Sequence, residues 1–110
     1  MEKRRDVFQA IADPTRREIL CLIAKEPLNL NSIAENFDMS RPAISQHIKV
    51  LDESGLVAMR KKGRQRFCHI RPQKMKEVDR WLEQFRQLWE DRFSQLDQVL
   101  NNLKNQDNEE

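Results

Sequence analysis

The sequence predicts a mainly helical fold with a single two-stranded β-hairpin, and three observations support this prediction. Apolar residues recur at intervals of three and four in several segments, which is the spacing of one helix face. The chain has only two Gly and four Pro in 110 residues, so little of it has the composition of loops. Only residues 56–70 change to short strand-like runs around one Gly. A chain of this length most naturally forms one domain.

Positive charge is concentrated in the middle of the chain, although the net charge is only +2. Residues 41–71 contain eight basic and two acidic side chains, which gives this segment +6. The flanking residues 1–40 and 72–110 have net charges of −1 and −3. A basic block between mildly acidic segments indicates a local surface for a polyanion rather than a generally adhesive protein.

The composition does not indicate a membrane or secreted protein. No apolar run approaches the roughly 18 residues of a membrane span. No apolar segment follows the charged N-terminus, as it would in a signal peptide. We therefore expect a cytoplasmic protein without a membrane partner, in which Cys21 and Cys68 remain thiols.

Two helices are predicted at the start of the chain. Residues 4–12 form a short helical candidate with one apolar side. A second helix begins at Asp13, a favourable N-cap, with Pro14 in the first helical position. It should end near Glu26, because Pro27 follows. A third, short helix is predicted from the capping-box pair Ser32 and Glu35 to about residue 37.

The longer helix that follows, Ser40 to Gly55, has both ends marked in the sequence. Ser40 is a favoured N-cap, and Pro42 falls in the first turn. Gly55 stands just past the end, where a left-handed conformation is favoured. The residues that can face a core at helical spacing are Ala43, Ile44, Ile48 and Leu51.

The other faces of this helix carry candidate DNA contacts. A plain alternative is an amphipathic core helix with a solvated polar face. The short helix before it and the basic hairpin after it favour a helix-turn-helix, whose second helix lies in the DNA major groove. Gln46 can bond bidentately to adenine, and Arg41 or Lys49 can reach guanine or phosphate. The predicted DNA-binding residues of the helix are Ser40, Arg41, Ser45, Gln46, His47 and Lys49.

A basic hairpin, which we call the wing, is predicted after Gly55. Residues 56–60 and 65–70 are strand-like, and residues 61–64 form the turn around Gly63. The alternative is a charged turn that only faces solvent. The density of cations around one Gly favours contact with phosphate or the minor groove, which adds salt-dependent affinity but little sequence information. The predicted wing contacts are Lys61, Lys62, Arg64 and Arg66.

The last element is predicted to be a long helix from Pro72 to about Lys104. Its apolar residues follow a heptad pattern interrupted at Arg92, over roughly 45 Å at 1.5 Å per residue. One small chain has too little other core to cover this stripe, so a second copy is the simplest partner. We expect residues 1–104 to form the domain and residues 105–110 a disordered tail. The predicted dimer-interface residues are Val7, Phe8, Trp81, Phe85, Leu88, Trp89 and Leu96.

The sequence does not indicate an enzyme, a metal site or a cofactor. No cluster has the ligand spacing of a zinc site, and no nucleophile–base pair or phosphate-binding glycine loop is present. Cys21 is expected to be a small buried hydrophobe among apolar neighbours. Two alternatives remain open: a repressor switched by thiol oxidation, and a protein-interaction module that uses the winged helix only as a scaffold.

Three segments resemble the ArsR/SmtB winged helix-turn-helix transcriptional regulators. They are Asp13-Pro-Thr-Arg-Arg-Glu-Ile-Leu20, Ser40-Arg-Pro-Ala-Ile-Ser-Gln-His-Ile-Lys-Val-Leu-Asp-Glu-Ser-Gly-Leu-Val57 and Lys62-Gly-Arg64, and the likeness covers about residues 5–100. The resemblance implies a homodimer joined through its first and last helices, which binds double-stranded DNA at an inverted-repeat operator and usually represses transcription.

The resemblance extends to the metal-independent, autorepressor-like branch through the last helix, which carries Trp81, Phe85, Trp89 and Arg92. Metal-sensing relatives carry Cys-x-Cys on the helix before the recognition helix, and the corresponding residues 32–37 contain no Cys. Other relatives bind metal through Asp, His and Glu on the last helix, which has no His here. The identity of an inducer does not follow from the resemblance.

Overall fold

The computed structural model of the chain describes residues 6–107 and has the predicted mainly helical fold with a β-hairpin. Two compact units are present, one ending at Val78 and one beginning at Asp79. A 3₁₀ turn at Pro72–Lys74 precedes the last helix. In chain order the elements are α1 (Val7–Ile11), α2 (Pro14–Lys25), β1 (Leu28–Asn29), α3 (Leu30–Ala34), α4 (Arg41–Glu53), β2 (Val57–Lys62), β3 (Gln65–Ile70) and α5 (Met75–Asp107).

Each of the helices α1 to α4 begins at a side chain that accepts a free backbone N–H. Asp6, Asp13, Asn29 and Ser40 accept from the N–H three residues further on, at 2.7, 3.0, 2.8 and 3.3 Å. The predicted caps Asp13 and Ser40 are thus confirmed. The predicted start of the first helix at residue 4 lies outside the described residues.

The predicted boundaries of the third helix were wrong. α3 begins at Leu30 rather than Ser32, because Asn29 and not Ser32 provides the cap. It ends at Ala34, whereas the capping-box pattern predicted a helix to about residue 37. Ser32 lies in the first turn, and its N–H donates to the side chain of Asn29.

Within residues 6–107 the β-sheet has three strands, in the order β1–β3–β2, where the sequence predicted only the two of the hairpin. β2 and β3 form the predicted antiparallel hairpin. β1 pairs with the other edge of β3, opposite Phe67 and Cys68. The strands of the hairpin extend to Lys62 and from Gln65, so the turn is shorter than predicted and Lys61 lies within β2.

The core of the first unit is mostly aliphatic. It includes the predicted core residues Ile44, Ile48 and Leu51 of α4, while Ala43 is half-buried. Met75 and Val78, at the start of α5, also pack against it. The buried set is Val7, Ala10, Ile19, Leu20, Ile23, Ile33, Ile44, Ile48, Val50, Leu51, Leu56, Val57 and Cys68.

Two predicted side-chain environments were wrong. Cys21 was expected to be buried and is exposed. At about 100° per residue it lies on the side of α2 opposite Ile19 and Ile23, which are buried. Val7 was grouped with the dimer interface, but it is only 1% exposed because it packs in the core of its own protomer.

α5 is a 33-residue helix and extends further than predicted. Residues 105–107, expected in a disordered tail, continue the helix, and residues 108–110 lie outside the described residues. Large apolar side chains from Trp81 to Leu103 follow one another along it and are 40% to 64% exposed. Within residues 6–107, no helix combines the length and apolar character needed to cross a membrane.

Candidate nucleic-acid interface

The outer face of α4 carries most of the predicted base-reading residues. At about 100° per residue, Arg41, Ser45 and Lys49 lie within an arc of about 80°, and Gln46 lies about 60° beyond Lys49. All four side chains are exposed, as is Ser40 at the N-cap. Their shared exposure results from the sequence, because Ile44 and Leu51, about 100° to 120° around the helix from the centre of that arc, are buried in the core. The structure therefore brings these candidates together on one accessible surface.

The C-terminal end of α4 is fixed as the sequence predicted. Gly55 follows the helix with a φ of +82°, in the left-handed region that favours glycine. The N–H of Leu56 donates to the carbonyl of Leu51 at 3.0 Å. The hydroxyl of buried Ser54 donates to the same carbonyl at 2.8 Å. Both bonds satisfy the carbonyl of Leu51 in the last turn of the helix, and the chain then continues into β2.

His47 lies apart from the other candidates on α4. Its side chain is only 21% exposed and faces α2, where Nδ1 lies 3.4 Å from Nη1 of Arg16 and 3.9 Å from Oδ2 of Asp13. A guanidinium can only donate, so Nδ1 accepts from Arg16 when the ring is neutral, and the ring proton is then on Nε2. A DNA contact through His47, if made, therefore uses the Nε2–H group.

The carboxylate of Asp13 is held in its charged form beside this pair. Burial acts to raise the pKa of Asp13, but the bond from the backbone N–H of Arg16, the charge that His47 carries when protonated and the charge of Arg16 lower it below its usual value. Asp13 thus combines two roles, as the N-cap of α2 and as a negative charge next to the recognition helix.

The wing is basic and accessible along its distal half. Lys61, Lys62, Arg64 and Arg66 are all exposed, and Gly63 at the tip has a φ of +66°. At its base, the side-chain amide of Asn29 donates to Oε1 of Gln65 at 3.1 Å. Since Asn29 also caps α3, one side chain links the first helix of the helix-turn-helix to the wing.

A groove of about 390 Å³ lies between α3, α4 and the sheet. It brings Ser45 of α4 and Arg66 of the wing together, two residues that the sequence assigned to separate contacts. It also adds polar residues that the sequence analysis missed, namely Asn29, Asn31 and Gln65. Only the preference of Asn for N-cap positions signalled a special role for Asn29. The groove is lined by Asn29, Leu30, Asn31, Ser45, Ile48, Met59, Gln65 and Arg66.

The two cysteines differ in environment. Cys21 is exposed, whereas Cys68 is fully buried in β3. Burial, and secondarily the negative charge of Asp52, raises the pKa of the Cys68 thiol to about 12. Among residues 6–107, no three His, Cys, Asp or Glu side chains are grouped so that they could hold a metal ion.

Comparison with known proteins identifies the family. Residues 13–58 match the family described as bacterial regulatory protein, arsR family. The chain is 32% identical over 80 residues to the transcriptional repressor SdpR of Bacillus subtilis, covering 73% of this chain and 89% of the relative.

Two solved structures have a similar fold. An ArsR-like transcriptional regulator from Rhodococcus sp. RHA1 has 31% identity and a TM-score of 0.65, over 84% of this chain and 88% of its own. The second is a homodimeric winged helix-turn-helix DNA-binding domain from Mycobacterium bovis, a possible ArsR-family regulator. It has 25% identity and a TM-score of 0.57, over 76% of this chain and 75% of its own. The chain belongs to the arsR family of bacterial regulatory proteins and is a DNA-binding transcriptional regulator.

Proposed function

We propose that the protein is a homodimeric repressor that binds an inverted-repeat operator. The observation that carries the proposal is the accessible polar face of α4, which adjoins the basic wing across one groove. A helix of this kind reads base edges in the major groove, while cations beside it hold the phosphates. In each protomer, Gln46 reads a base, and Arg41 and Lys49 contact guanine or phosphate. The wing contributes mainly salt-dependent affinity.

The dimer is proposed to form mainly through the apolar stripe of α5. A run of apolar side chains about half exposed over more than twenty residues indicates a surface for another protein. The most exposed are Trp89 at 64% and Phe93 at 61%. Phe8 on α1 is 39% exposed and adds a second patch. The homodimeric state of the similar Mycobacterium bovis domain supports a second copy of this chain as the partner.

Repression, rather than activation, is supported by the relative from Bacillus subtilis, which is a transcriptional repressor. We place the chain in the metal-independent branch, since the family's Cys-x-Cys position falls on α3, whose sequence is Leu-Asn-Ser-Ile-Ala. A switch through oxidation of both cysteines is not favoured, because a buried thiol with a pKa of about 12 is a poor nucleophile at neutral pH.

In vitro transcription tests the direction of regulation. A duplex selected by the purified protein is placed over the start site of a strong promoter, and the transcript is measured as protein is added. A repressor lowers the transcript in proportion to occupancy, and the same promoter without the duplex is unaffected. A rise in transcript would identify an activator, and no change at full occupancy would contradict a regulatory role at that site.

A further inference from the structure

Arg16, near the start of α2, connects α1 to the recognition helix α4. Its Nε donates to the carbonyl of Ala10 at 2.7 Å, and its Nη2 donates to the carbonyl of Gln9 at 3.1 Å. Its Nη1 lies 3.4 Å from Nδ1 of His47 on α4. All three nitrogens of the guanidinium are therefore used, two on α1 and one on α4.

The chemistry of arginine makes this connection stiff. The guanidinium is planar and its donors have fixed directions, so the two carbonyl bonds to α1 determine where Nη1 points. The carbonyls of Gln9 and Ala10 belong to the last turn of α1, where a five-residue helix leaves carbonyls without the usual partner four residues on; that of Gln9 also accepts the N–H of Ala12, the C-cap residue, at 3.3 Å. Asp13, which accepts the backbone N–H of Arg16 and lies beside His47, provides a second connection between α2 and α4.

We propose that Arg16 is a positioning residue that fixes the orientation of α4 relative to α1 and so sets the distance between the two recognition helices of the dimer. This inference rests on the proposed function, because α1 contributes Phe8 to the proposed dimer surface. One added base pair moves a half-site by about 3.4 Å along the duplex and rotates it by about 35°, so the orientation of α4 in each protomer determines which half-site separation fits the dimer.

The chain offers a matched control in Arg17, the next residue. Its Nη1 donates to the carbonyl of Ile11 at 2.8 Å, so it carries the same charge and also bonds the end of α1. Among the described residues, the side chain of Arg17 makes no other hydrogen bond, so it does not connect α1 to α4. Arg16→Met and Arg17→Met therefore remove equal charge, but only the first breaks the connection to His47.

The experiment measures binding of each variant to the selected duplex and to duplexes with one base pair added or removed between the half-sites. Wild type and Arg17→Met should bind the altered duplexes at least about tenfold more weakly than the selected duplex, since one half-site loses its base contacts. Arg16→Met should lose this preference, with a difference below about threefold. Arg16→Lys should not restore it, because one ammonium cannot replace three directed donors.

If Arg16→Met does not fold, two variants of His47 test the same inference. His47→Leu removes the acceptor but leaves the bonds from Arg16 to α1, and His47→Asn keeps an acceptor near the place of Nδ1. The preference for one half-site separation should be lost in His47→Leu and kept in His47→Asn. An unchanged preference in Arg16→Met or His47→Leu overturns the inference while leaving the proposed function intact. Failure of wild type to select any duplex contradicts the proposed function itself.

Discussion

At the scale of single residues, the exposed side chains of α4 and of the wing differ in what they offer to DNA. The amide of Gln46 has both a donor and an acceptor, so it can match the two groups that adenine presents in the major groove. The guanidinium of Arg64 at the wing tip is better suited to phosphate, which every sequence presents equally. Both side chains are exposed, so replacing either leaves the core unchanged.

Gln46→Ala and Arg64→Ala should therefore weaken binding in different ways. Gln46→Ala should cost about 1–3 kcal/mol on the selected duplex and relax one base position. Arg64→Ala should weaken binding to specific and random duplexes alike and lower the salt slope by about one. Anisotropy titrations at several salt concentrations separate these effects. Equal losses on specific and random DNA for both variants would contradict the division of roles.

The two thiols should react very differently in the native protein. With a pKa of about 12, Cys68 has only about one thiolate in ten thousand at pH 8, and it is buried as well. A thiol-reactive chromophore should therefore label Cys21 rapidly and Cys68 only after unfolding in urea. Cys21→Ser serves as the control and should show no rapid phase. Two thiols reacting at one rate in native protein would contradict the assigned environment of Cys68.

Errors at the residue scale arose where the environment depends on tertiary contacts. Cys21 has apolar neighbours in sequence, but the angular position on α2 decides exposure, and it lies opposite the buried Ile19. His47 was predicted as a DNA contact together with its neighbours on α4, and this stays a prediction, although its environment differs from theirs. It lies about 100° beyond Gln46, toward the core side, where contacts with α2 half-bury it.

At the scale of elements, the caps predicted for α2 and α4 and the glycine predicted after α4 were confirmed, whereas the capping box predicted for α3 was wrong. Asp13, Ser40 and Gly55 act locally, so their roles can be predicted from the residue type and position. β1 could not be predicted, because two residues show no alternation and their pairing with β3 joins segments about forty residues apart. The same strand shifts the start of α3, since Asn29 both ends β1 and caps the helix.

Replacing Gly55 tests the element boundary that orients α4. A φ of +82° is unfavourable for an L-residue by about 1–2 kcal/mol, so Gly55→Ala should lower the free energy of unfolding by roughly that amount. The new Cβ would also lie 3.1 Å from Cγ of Lys74, which must move. Gly63→Ala is the control, because its φ is +66° and its surroundings are open.

Urea denaturation of both glycine variants provides the measurement. Gly55→Ala should lose at least as much stability as Gly63→Ala, since it carries the additional contact with Lys74. A Gly55→Ala protein as stable as wild type would mean that the end of α4 does not require the left-handed conformation.

At the scale of the whole molecule, one protomer offers one recognition helix, and we propose that the dimer supplies the rest of the specificity. Two such helices related by a two-fold axis would enter successive major grooves about 34–36 Å apart. From the sequence, the apolar stripe of α5 predicted that a second copy of the chain covers it. In the protomer these side chains are about half exposed, as such an interface requires.

The proposed dimer interface on α5 can be disrupted without changing the core of the protomer. Trp89 is the most exposed of its large apolar residues, so Trp89→Lys should prevent association while leaving the core intact. Gln87 lies about 200° around the helix from Trp89, so Gln87→Lys adds the same charge on the opposite face and serves as the control.

Selection of bound sites from a random duplex pool tests the central claim most directly. Wild type and Gln87→Lys should enrich an inverted repeat whose half-sites are centred about 10 base pairs, or a multiple of one helical turn, apart. Trp89→Lys should enrich at most a single weak half-site. Enrichment of no sequence by wild type, or of a site without two-fold symmetry, would contradict the proposal that a dimer reads DNA through α4.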